Sequence, residues 1–277
     1  MSSLYKNDAV NVSMKLIQGQ VISMILAINI NNTHTTLGAF EGDKLVADWR
    51  LATDRMRTSD EYGLIVRSLF KEAGFLPGDV DGIAMASVVP PVTQTFVSMC
   101  VKYFKMEPIQ IGPGIKNGLS IKYENPREVG ADRVAVAVAA IKLYGPPLII
   151  VDLGTATTFD AINAQGDYLG GAIAPGLGIA AEALFARTAK LPRIELVRPK
   201  TAIGRNTVSS MQAGLVFGYA ALVDGMVRRF MAEMNCRPKV IATGGLAGVM
   251  GDAETIEIVD PHLTLHGLRL IYEMNRE

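Results

Sequence analysis

Cysteine, histidine and net charge are all scarce in this 277-residue sequence, and each scarcity excludes a class of protein. The two cysteines, Cys100 and Cys236, form no CxxC pair, which argues against a disulfide-rich secreted scaffold and predicts a cytoplasmic location. Lys plus Arg and Asp plus Glu number 27 each, so no excess charge is present to attract nucleic acid. No stretch approaches the run of about 18 apolar residues that a membrane helix needs. We therefore expect neither nucleic acid nor membrane among its partners.

The three histidines do not suggest a metal site. His262 and His266 are spaced i, i+4, which can place both side chains on one face of a helix. No third ligand and no HExxH motif accompanies them, so we predict that they bind no metal.

Residues 1–23 differ in character from the rest of the chain. They contain no compact apolar segment, which argues against a signal peptide. Met24 directly precedes an apolar strand, Ile25–Ile30, so we place the start of the folded domain at residue 24. Residues 1–23 are predicted to be a disordered or non-native extension.

The chain is 49% hydrophobic, so residues 24–277 can bury a substantial core. These residues also contain an internal sequence repeat. Residues 25–36 resemble residues 148–158: each segment is an apolar strand, a polar Thr-rich turn and the start of a second strand. Asn29 of the first copy corresponds to Asp152 of the second. The repeat predicts a duplicated α/β domain with a cleft between its halves, residues 24–147 and residues 148–277.

Helices are expected between the strands. Thr58–Glu61 is a capping box that begins a helix reaching about Ala73, and Ala131–Tyr144 is a second helix. The longest predicted helix, Thr207–Met234, contains three glycines that indicate a packing seam or a dimer interface, or are simply tolerated in one core. A strand at Lys239–Ala242, a strand at Glu257–Val259 and a helix beginning near Pro261 complete the prediction.

The turn that follows Asp152 has the composition of a phosphate-binding loop. Gly154 permits close approach of a ligand, and Thr155 adds a hydroxyl and an N–H donor. Asp152 can hold a cation or its hydration shell. Ordinary turn chemistry at a sheet end is the alternative, but the related loop in the first repeat favours a pair of loops that hold one triphosphate. The turn Thr243–Gly245 is then expected beside the nucleobase or ribose.

A second candidate site begins a helix at Gly130–Arg133, after Tyr123. Asp132 in this position can act as a general base, and Arg133 can bind an anionic group. The alternative is a carboxylate that stabilises the helix start and an arginine on the surface.

Taken together, these residues resemble the type III pantothenate kinases of bacterial coenzyme A biosynthesis, within the acetate and sugar kinase/Hsp70/actin superfamily. The resemblance runs from Met24 to near the C-terminus. The segments that carry it are residues 54–61, 86–91, 125–126, 130–133, 152–158, 170–176, 204–207, 244–245 and 263–267. It implies two ribonuclease H-like (actin-like ATPase) domains with a nucleotide cleft between them, and ATP-dependent phosphorylation of pantothenate to 4′-phosphopantothenate.

The resemblance also implies roles for individual residues. Asp132 is the expected proton acceptor for the pantothenate hydroxyl, and Asp152 is expected to hold potassium or ammonium, with magnesium bound in addition. Thr207 is expected to reach the pantothenate pocket across a homodimer interface. The other residues expected to line that pocket are Tyr123, Gly130, Ala131 and Arg133. Those expected to contact ATP are Asn29, Ile30, Asn31, Asn32, Thr33, His34, Thr35, Thr36, Thr155, Gly244 and Gly245.

The first loop departs from the family pattern. Where the family has Asp-x-Gly-Asn-Thr, this chain has Asn29 and Asn31 in place of the aspartate and the glycine. The first change removes a charge that organises hydrated magnesium, and the second adds a side chain where the backbone approaches phosphate. Two hypotheses follow: a working or weakened kinase, or an impaired homologue that binds nucleotide or pantothenate and acts as a regulatory or accessory protein.

Overall fold

The computed structural model describes residues 23–276 and the backbone of two short antiparallel strands, β1 (Leu16–Ile17) and β2 (Gln20–Val21). Of the predicted extension 1–23, residues 1–15, 18–19 and 22 lie outside the described part of the chain. By packing, the chain divides into two compact units. The first comprises Met1–Met85 and Val89–Gln110, and the second comprises Ala86–Val88 and Ile111–Glu277.

The first unit is built on a five-stranded sheet in the order β5-β4-β3-β6-β7. Three strands form an antiparallel meander, and β6 continues the sheet on the other side of β3 with β7 parallel to it. The strands are β3 (Met24–Ile30), β4 (His34–Glu41), β5 (Lys44–Ala52), β6 (Val80–Ser87) and β7 (Ile109–Gln110). Every residue of β3 is buried, which suits a central strand covered on both faces.

Two helices of the first unit cover this sheet. Helix α1 (Ser59–Glu72) begins with the predicted capping box, in which the Thr58 side chain accepts from the Glu61 N–H and the Glu61 side chain accepts from the Thr58 N–H. Helix α2 (Pro90–Met99) runs into a π-helical turn, Cys100–Phe104. The spacing of Tyr62, Val66 and Phe70 places one face of α1 in the core.

The second unit repeats the arrangement, with strands in the order β10-β9-β8-β11-β12. The first three are again antiparallel, and β11 lies parallel to both β8 and β12. The strands are β8 (Leu148–Leu153), β9 (Ala156–Ile162), β10 (Tyr168–Pro175), β11 (Lys239–Thr243) and β12 (Ile258–Val259). The helices are α3 (Ala131–Tyr144), α4 (Leu177–Arg187), α5 (Thr207–Met234) and α6 (Leu263–Asn275).

The shared strand order confirms a duplicated α/β fold. In the first sheet Asn29 pairs with Thr36, and in the second Asp152 pairs with Thr158, so the two residues occupy equivalent positions near a strand end. The bounds predicted for the helices at 131–144 and 207–234 are confirmed, whereas the last helix begins at Leu263 rather than near Pro261.

Helix α3 belongs by packing to the second unit. It crosses α6 so closely that a Cβ placed on Gly267 would overlap the Ala135 carbonyl group. The domain boundary predicted between residues 147 and 148 stays a prediction. It is placed where the sequence repeat begins again, whereas a compact unit is defined by packing and includes any helix that packs on it.

Helix α5 is the one described helix that is long and apolar enough to span a membrane by length and composition, and half of its most apolar 18-residue window is buried inside the protein. Its buried face packs on the second sheet through residues such as Leu215, Val223 and Val227. A core helix of a globular protein passes the same test of length and composition.

Candidate active site

The candidate phosphate loop of the second unit joins β8 to β9. Asp152 is the penultimate residue of β8, and the Gly154 N–H donates to the Ala156 carbonyl oxygen at 3.0 Å to close the turn. Thr243, at the end of β11, pairs with Asp152 across the sheet. The predicted turn Thr243–Gly245 therefore lies directly beside this loop.

Two glycines allow neighbouring backbone to close on the loop. Gly244 has φ +91°, and a Cβ there would lie 2.8 Å from the Leu153 backbone and would overlap the Asp152 carboxylate. Gly176, the N-cap of α4, leaves space for the Thr155 and Gly154 carbonyl oxygens. Glycine is required at both positions because no side chain fits between these segments.

Asp152 is the carboxylate of this loop. Its pKa is raised to about 7, chiefly by burial and also by the negative charges of Asp132 and Asp160, while the Arg133 guanidinium opposes the increase. A desolvated carboxylate that faces two others favours either a proton or a cation. The donor chemistry at this position therefore fits a bound cation.

Asp132 and Arg133 occupy the first turn of α3. The Asp132 Oδ1 atom accepts from the Arg133 N–H at 2.9 Å, and both side chains keep partial exposure. A Cβ on Gly130, the N-cap, would lie 2.6 Å from Asp132 Oδ1, so glycine leaves room for this carboxylate. Both side chains are thus accessible to a ligand at the start of one helix.

Two residues that the sequence analysis missed hold Arg133. Its Nε and Nη2 atoms donate to Asp160 Oδ1 at 2.9 and 2.6 Å, and the same oxygen accepts from the Tyr168 hydroxyl at 2.5 Å. Burial raises the pKa of Asp160, while Arg133 and the Tyr168 hydroxyl lower it. The available signal was a single aspartate in the otherwise uncharged strand β9.

Tyr123 lies in the same neighbourhood. Its ring centroid is 6.5 Å from that of Tyr168, with an interplanar angle of 60°. A Cβ on Gly170, whose φ is +133°, would lie 3.5 Å from the Tyr123 ring. The structure therefore brings together Tyr123, Asp132 and Arg133, three of the residues predicted for the pantothenate pocket.

Thr207 lies on another helix. It is the first residue of α5, after the capping residue Asn206, and its side chain is exposed. It lines an open groove of about 680 Å³ whose lining includes no other residue predicted for the pantothenate pocket. The groove is lined by Leu184, Leu191, Gly204, Arg205, Asn206, Thr207, Ser210, Met211, Gly214 and Leu215.

The first loop is organised by different contacts. The Asn31 N–H donates to the His34 carbonyl oxygen at 3.0 Å, and the Arg55 guanidinium donates to Asn32 Oδ1 at 3.4 Å. Asn29 is 6% exposed, and its Oδ1 has no hydrogen-bond partner among the residues that the structure describes. A buried acceptor without a partner is costly unless a ligand or water satisfies it.

The other residues predicted to contact ATP in this loop differ in accessibility. Ile30 and Thr35 are fully buried, and the Thr35 hydroxyl hydrogen-bonds that of Thr53 at 2.9 Å. His34 hydrogen-bonds Arg50 through Nδ1, and burial, together with the Arg50 charge, lowers its pKa. Thr33 is exposed and Thr36 is partly buried. Only part of the loop therefore presents side chains to a ligand.

Across residues 23–276, no group of three or more His, Cys, Asp and Glu side chains is arranged to hold a metal ion. A magnesium site of a kinase needs no such cage, since Mg²⁺ keeps several waters and is bound through one or two protein groups and the substrate phosphates. In the first unit, the Asn29 oxygen, which has no partner among the described residues, is a donor of the kind that faces hydrated magnesium.

The fold is that of the actin-like ATPases. One solved structure with this fold is the activator of the 2-hydroxyisocaproyl-CoA dehydratase from Clostridium difficile with bound ADPNP. It matches with a TM-score of 0.53 and 12% identity over 90% of this chain and 95% of that one. At this identity the similarity concerns the fold alone.

Sequence comparison identifies the family. The model of the type III pantothenate kinases matches residues 25–229. The type III pantothenate kinase of Halalkalibacterium halodurans is 55% identical over 91% of this chain and 100% of its own length. That of Geobacillus kaustophilus is 54% identical over 92% of this chain and 99% of its own. The chain belongs to the type III pantothenate kinase family.

Proposed function

We propose that this protein phosphorylates pantothenate to 4′-phosphopantothenate in the cytoplasm, with ATP as phosphoryl donor and Asp132 as general base. The observation that carries the proposal is the cluster at the start of α3. There an accessible carboxylate adjoins an arginine whose guanidinium is fixed by Asp160, and Tyr123 lies close by. Full-length relatives that are 54–55% identical and named type III pantothenate kinases support it.

In this proposal the acceptor is held at the cluster before any proton moves. Arg133 binds an anionic group, and Tyr123, Gly130 and Ala131 line the pocket. Asp132 Oδ accepts the proton of the primary hydroxyl as the hydroxyl oxygen attacks the γ-phosphorus, and the bond from that phosphorus to the β,γ-bridging oxygen breaks, so that ADP leaves. Phosphoryl transfer depends mainly on positioning and on neutralising charge, so fixed groups of this kind provide most of what the reaction needs.

The ATP contacts are assigned to the two loops, each by its own residues. Residues 29–36 contribute backbone N–H groups and the side chains that remain accessible, and Thr155 contributes from the second loop. Gly244 leaves backbone without a side chain beside Asp152, and Gly245 follows it in the same turn. Asn29 is the protein group proposed to face the hydration shell of magnesium, which would neutralise phosphate charge when bound with ATP.

Asp152 is proposed to hold the monovalent cation, potassium or ammonium. Its pKa, raised to about 7 by burial and by Asp132 and Asp160, is the supporting observation. A positive ion at this position would compensate three neighbouring carboxylates that Arg133 alone opposes.

A homodimer completes the proposal. Gly214 and Gly218 lie exposed on α5, one turn apart, and a Cβ on either would meet no atom within 4 Å. Val208 and Ile203 nearby are 43% and 83% exposed. Such a surface admits the backbone of a second copy, which would bring Thr207 of that copy to the pantothenate pocket.

The second candidate function is that of an impaired homologue that binds nucleotide or pantothenate and acts through partners. The first loop favours it, because Asn29 is neutral where Asp152 of the second loop is a carboxylate. Losing one preorganised charge interaction at a transferring phosphate commonly costs about 10²–10³ in rate. That loss weakens a kinase without abolishing turnover.

The test is a steady-state assay with pantothenate, magnesium–ATP and either potassium or sodium, in which 4′-phosphopantothenate is detected by mass. We expect product formation that is faster in potassium. The surface variant Glu254→Gln, which removes only an exposed ion-pair partner of Arg228, serves as a control and should match the parent. A folded protein that binds pantothenate and yields no product would overturn the kinase assignment in favour of the second candidate.

A further inference from the structure

We propose that Asp160 and Tyr168 are positioning residues of the acceptor pocket, and that they set the affinity for pantothenate through Arg133 and Tyr123. This inference rests on the proposed function, in which Arg133 and Tyr123 contact pantothenate. Neither Asp160 nor Tyr168 needs to touch the substrate for it to hold.

One oxygen of the Asp160 carboxylate accepts hydrogen bonds from side chains on two elements, helix α3 and strand β10. Its side chain is 1% exposed, and Oδ1 accepts from Arg133 Nε at 2.9 Å, from Arg133 Nη2 at 2.6 Å and from the Tyr168 hydroxyl at 2.5 Å. The Thr158 hydroxyl reaches the other oxygen at 3.5 Å. Charge-assisted hydrogen bonds to one oxygen leave the guanidinium a single orientation.

The orientation leaves one edge of Arg133 for a ligand. Within residues 23–276, the Nη1 atom has no protein acceptor, while Nε and Nη2 are both used on Asp160. A Cβ on Gly171 would lie 2.7 Å from Nη2 and would overlap the Phe159 carbonyl oxygen. The guanidinium thus lies between Asp160 and strand β10, and only its remaining edge can bind an anion.

Tyr168 also contacts the chain segment that carries Tyr123. Its N–H donates to the Ser120 carbonyl oxygen and its own carbonyl oxygen accepts from the Lys122 N–H, both at 2.8 Å. The segment that carries Tyr123 is therefore held by the backbone of the residue whose hydroxyl holds Asp160. A change at the hydroxyl alone tests the route through Asp160 and Arg133, because the ring and the backbone contacts with the Tyr123 segment stay.

A role in stability alone is a weak explanation for this cluster. The attraction within a buried ion pair is largely offset by the cost of removing both charges from water. Tyr168 is fully buried and Arg133 keeps 12% of its side chain exposed, which suits a rigid support beneath an accessible group.

The decisive experiment compares Tyr168→Phe with Tyr144→Phe. Tyr144, the last residue of α3, also donates its hydroxyl to an aspartate, Asp260, at 2.8 Å, so the same bond is lost at the other end of the helix. We expect Tyr168→Phe to raise KM for pantothenate about five- to tenfold, less than the full effect of losing a hydrogen bond to a charged group, because the hydroxyl acts on the substrate only through Asp160 and Arg133. We expect kcat and KM for ATP to change less than about twofold, and Tyr144→Phe to match the parent in all three constants.

Asp160→Asn extends the test, because the amide keeps an acceptor oxygen but loses the charge. A larger rise in KM for pantothenate, with KM for ATP again unchanged, supports the inference. If this variant does not fold, Tyr168→Phe still decides, since it retains the ion pair.

Two results would overturn the inference in an active parent. One is a Tyr168→Phe variant with the parental KM for pantothenate. The other is an equal rise of both KM values together with a lower melting temperature, which marks a structural role. A parent that neither binds nor phosphorylates pantothenate would instead overturn the proposed function.

Discussion

The two strand–turn–strand loops share a topology and differ in charge. Asn29 and Asp152 occupy equivalent positions, paired with Thr36 and Thr158 in sheets of the same strand order. Asn29 is a buried amide whose oxygen has no partner among residues 23–276, whereas Asp152 is a carboxylate with a pKa raised to about 7, chiefly by burial.

The surroundings of the loops differ as well. Glycines at 176 and 244 let backbone close around the second loop, whereas side chains from Thr53 and Arg55 bond to the first. The strand order of a sheet follows from its apolar pattern and its turns, which a single polar residue at a strand end does not alter. Duplication of the fold therefore does not duplicate the chemistry of its loops.

We expect the largest effect from a substitution in the cluster at the start of α3, which tests whether the reaction depends on Asp132. Asp132→Asn should lower kcat about 10²–10⁴-fold, because the amide cannot accept the hydroxyl proton. ATP binding, measured by calorimetry, should change little. A variant that turns over at the parental rate would exclude Asp132 as the base.

The second largest effect is expected from a substitution that makes the second loop resemble the first. Asp152→Asn should lower kcat/KM about 10²–10³-fold and abolish the difference between potassium and sodium, since the charge that holds the cation is lost. Rates measured in both salts check this. A variant that keeps its preference for potassium would place the cation elsewhere.

The reverse change makes the first loop like the second. Asn29→Asp combined with Asn31→Gly should raise kcat/KM for ATP about tenfold or more, because a carboxylate then faces hydrated magnesium and the backbone can approach phosphate. Asn117→Asp, whose side-chain oxygen still accepts from the Leu119 N–H, is a control that adds the same charge in the second unit. If the double variant is no faster than the parent, the first loop does not limit the rate.

The smallest effect concerns stability and pH. A carboxyl whose pKa is raised by folding contributes stability that is present below its unfolded pKa of about 4 and is lost as the pH rises through its folded pKa. For Asp152 that folded pKa is about 7. Without potassium or ammonium, Asp152→Asn should therefore melt above the parent at pH 8, and the difference should shrink towards pH 5.

Thermal melts at both pH values measure this difference, which we expect to be a few degrees, since about 1 kcal/mol shifts the midpoint of a chain of this size by about 2–4 °C. Adding potassium at pH 8 should raise the midpoint of the parent and leave that of the variant unchanged. A variant that melts below the parent at pH 8 would contradict the assignment of the raised pKa to Asp152.

The sequence by itself determined several of the elements and pointed to part of the candidate site. Capping residues and apolar spacing are local signals, which is why the helices at 131–144 and 207–234 begin and end where predicted. Asp132 and Arg133 could be identified because they are adjacent and begin a helix.

Only the tertiary structure decided what supports them. Asp160 lies on β9 and Tyr168 on β10, and the antiparallel register of those strands, with α3 packed beside them, directs both side chains to the Arg133 guanidinium. No local pattern encodes that meeting, because it depends on pairings between segments distant in sequence. The same holds for Asn29: its identity is visible in the sequence, but the absence of a partner for its buried oxygen within the described residues emerges only when the strands around it are in place.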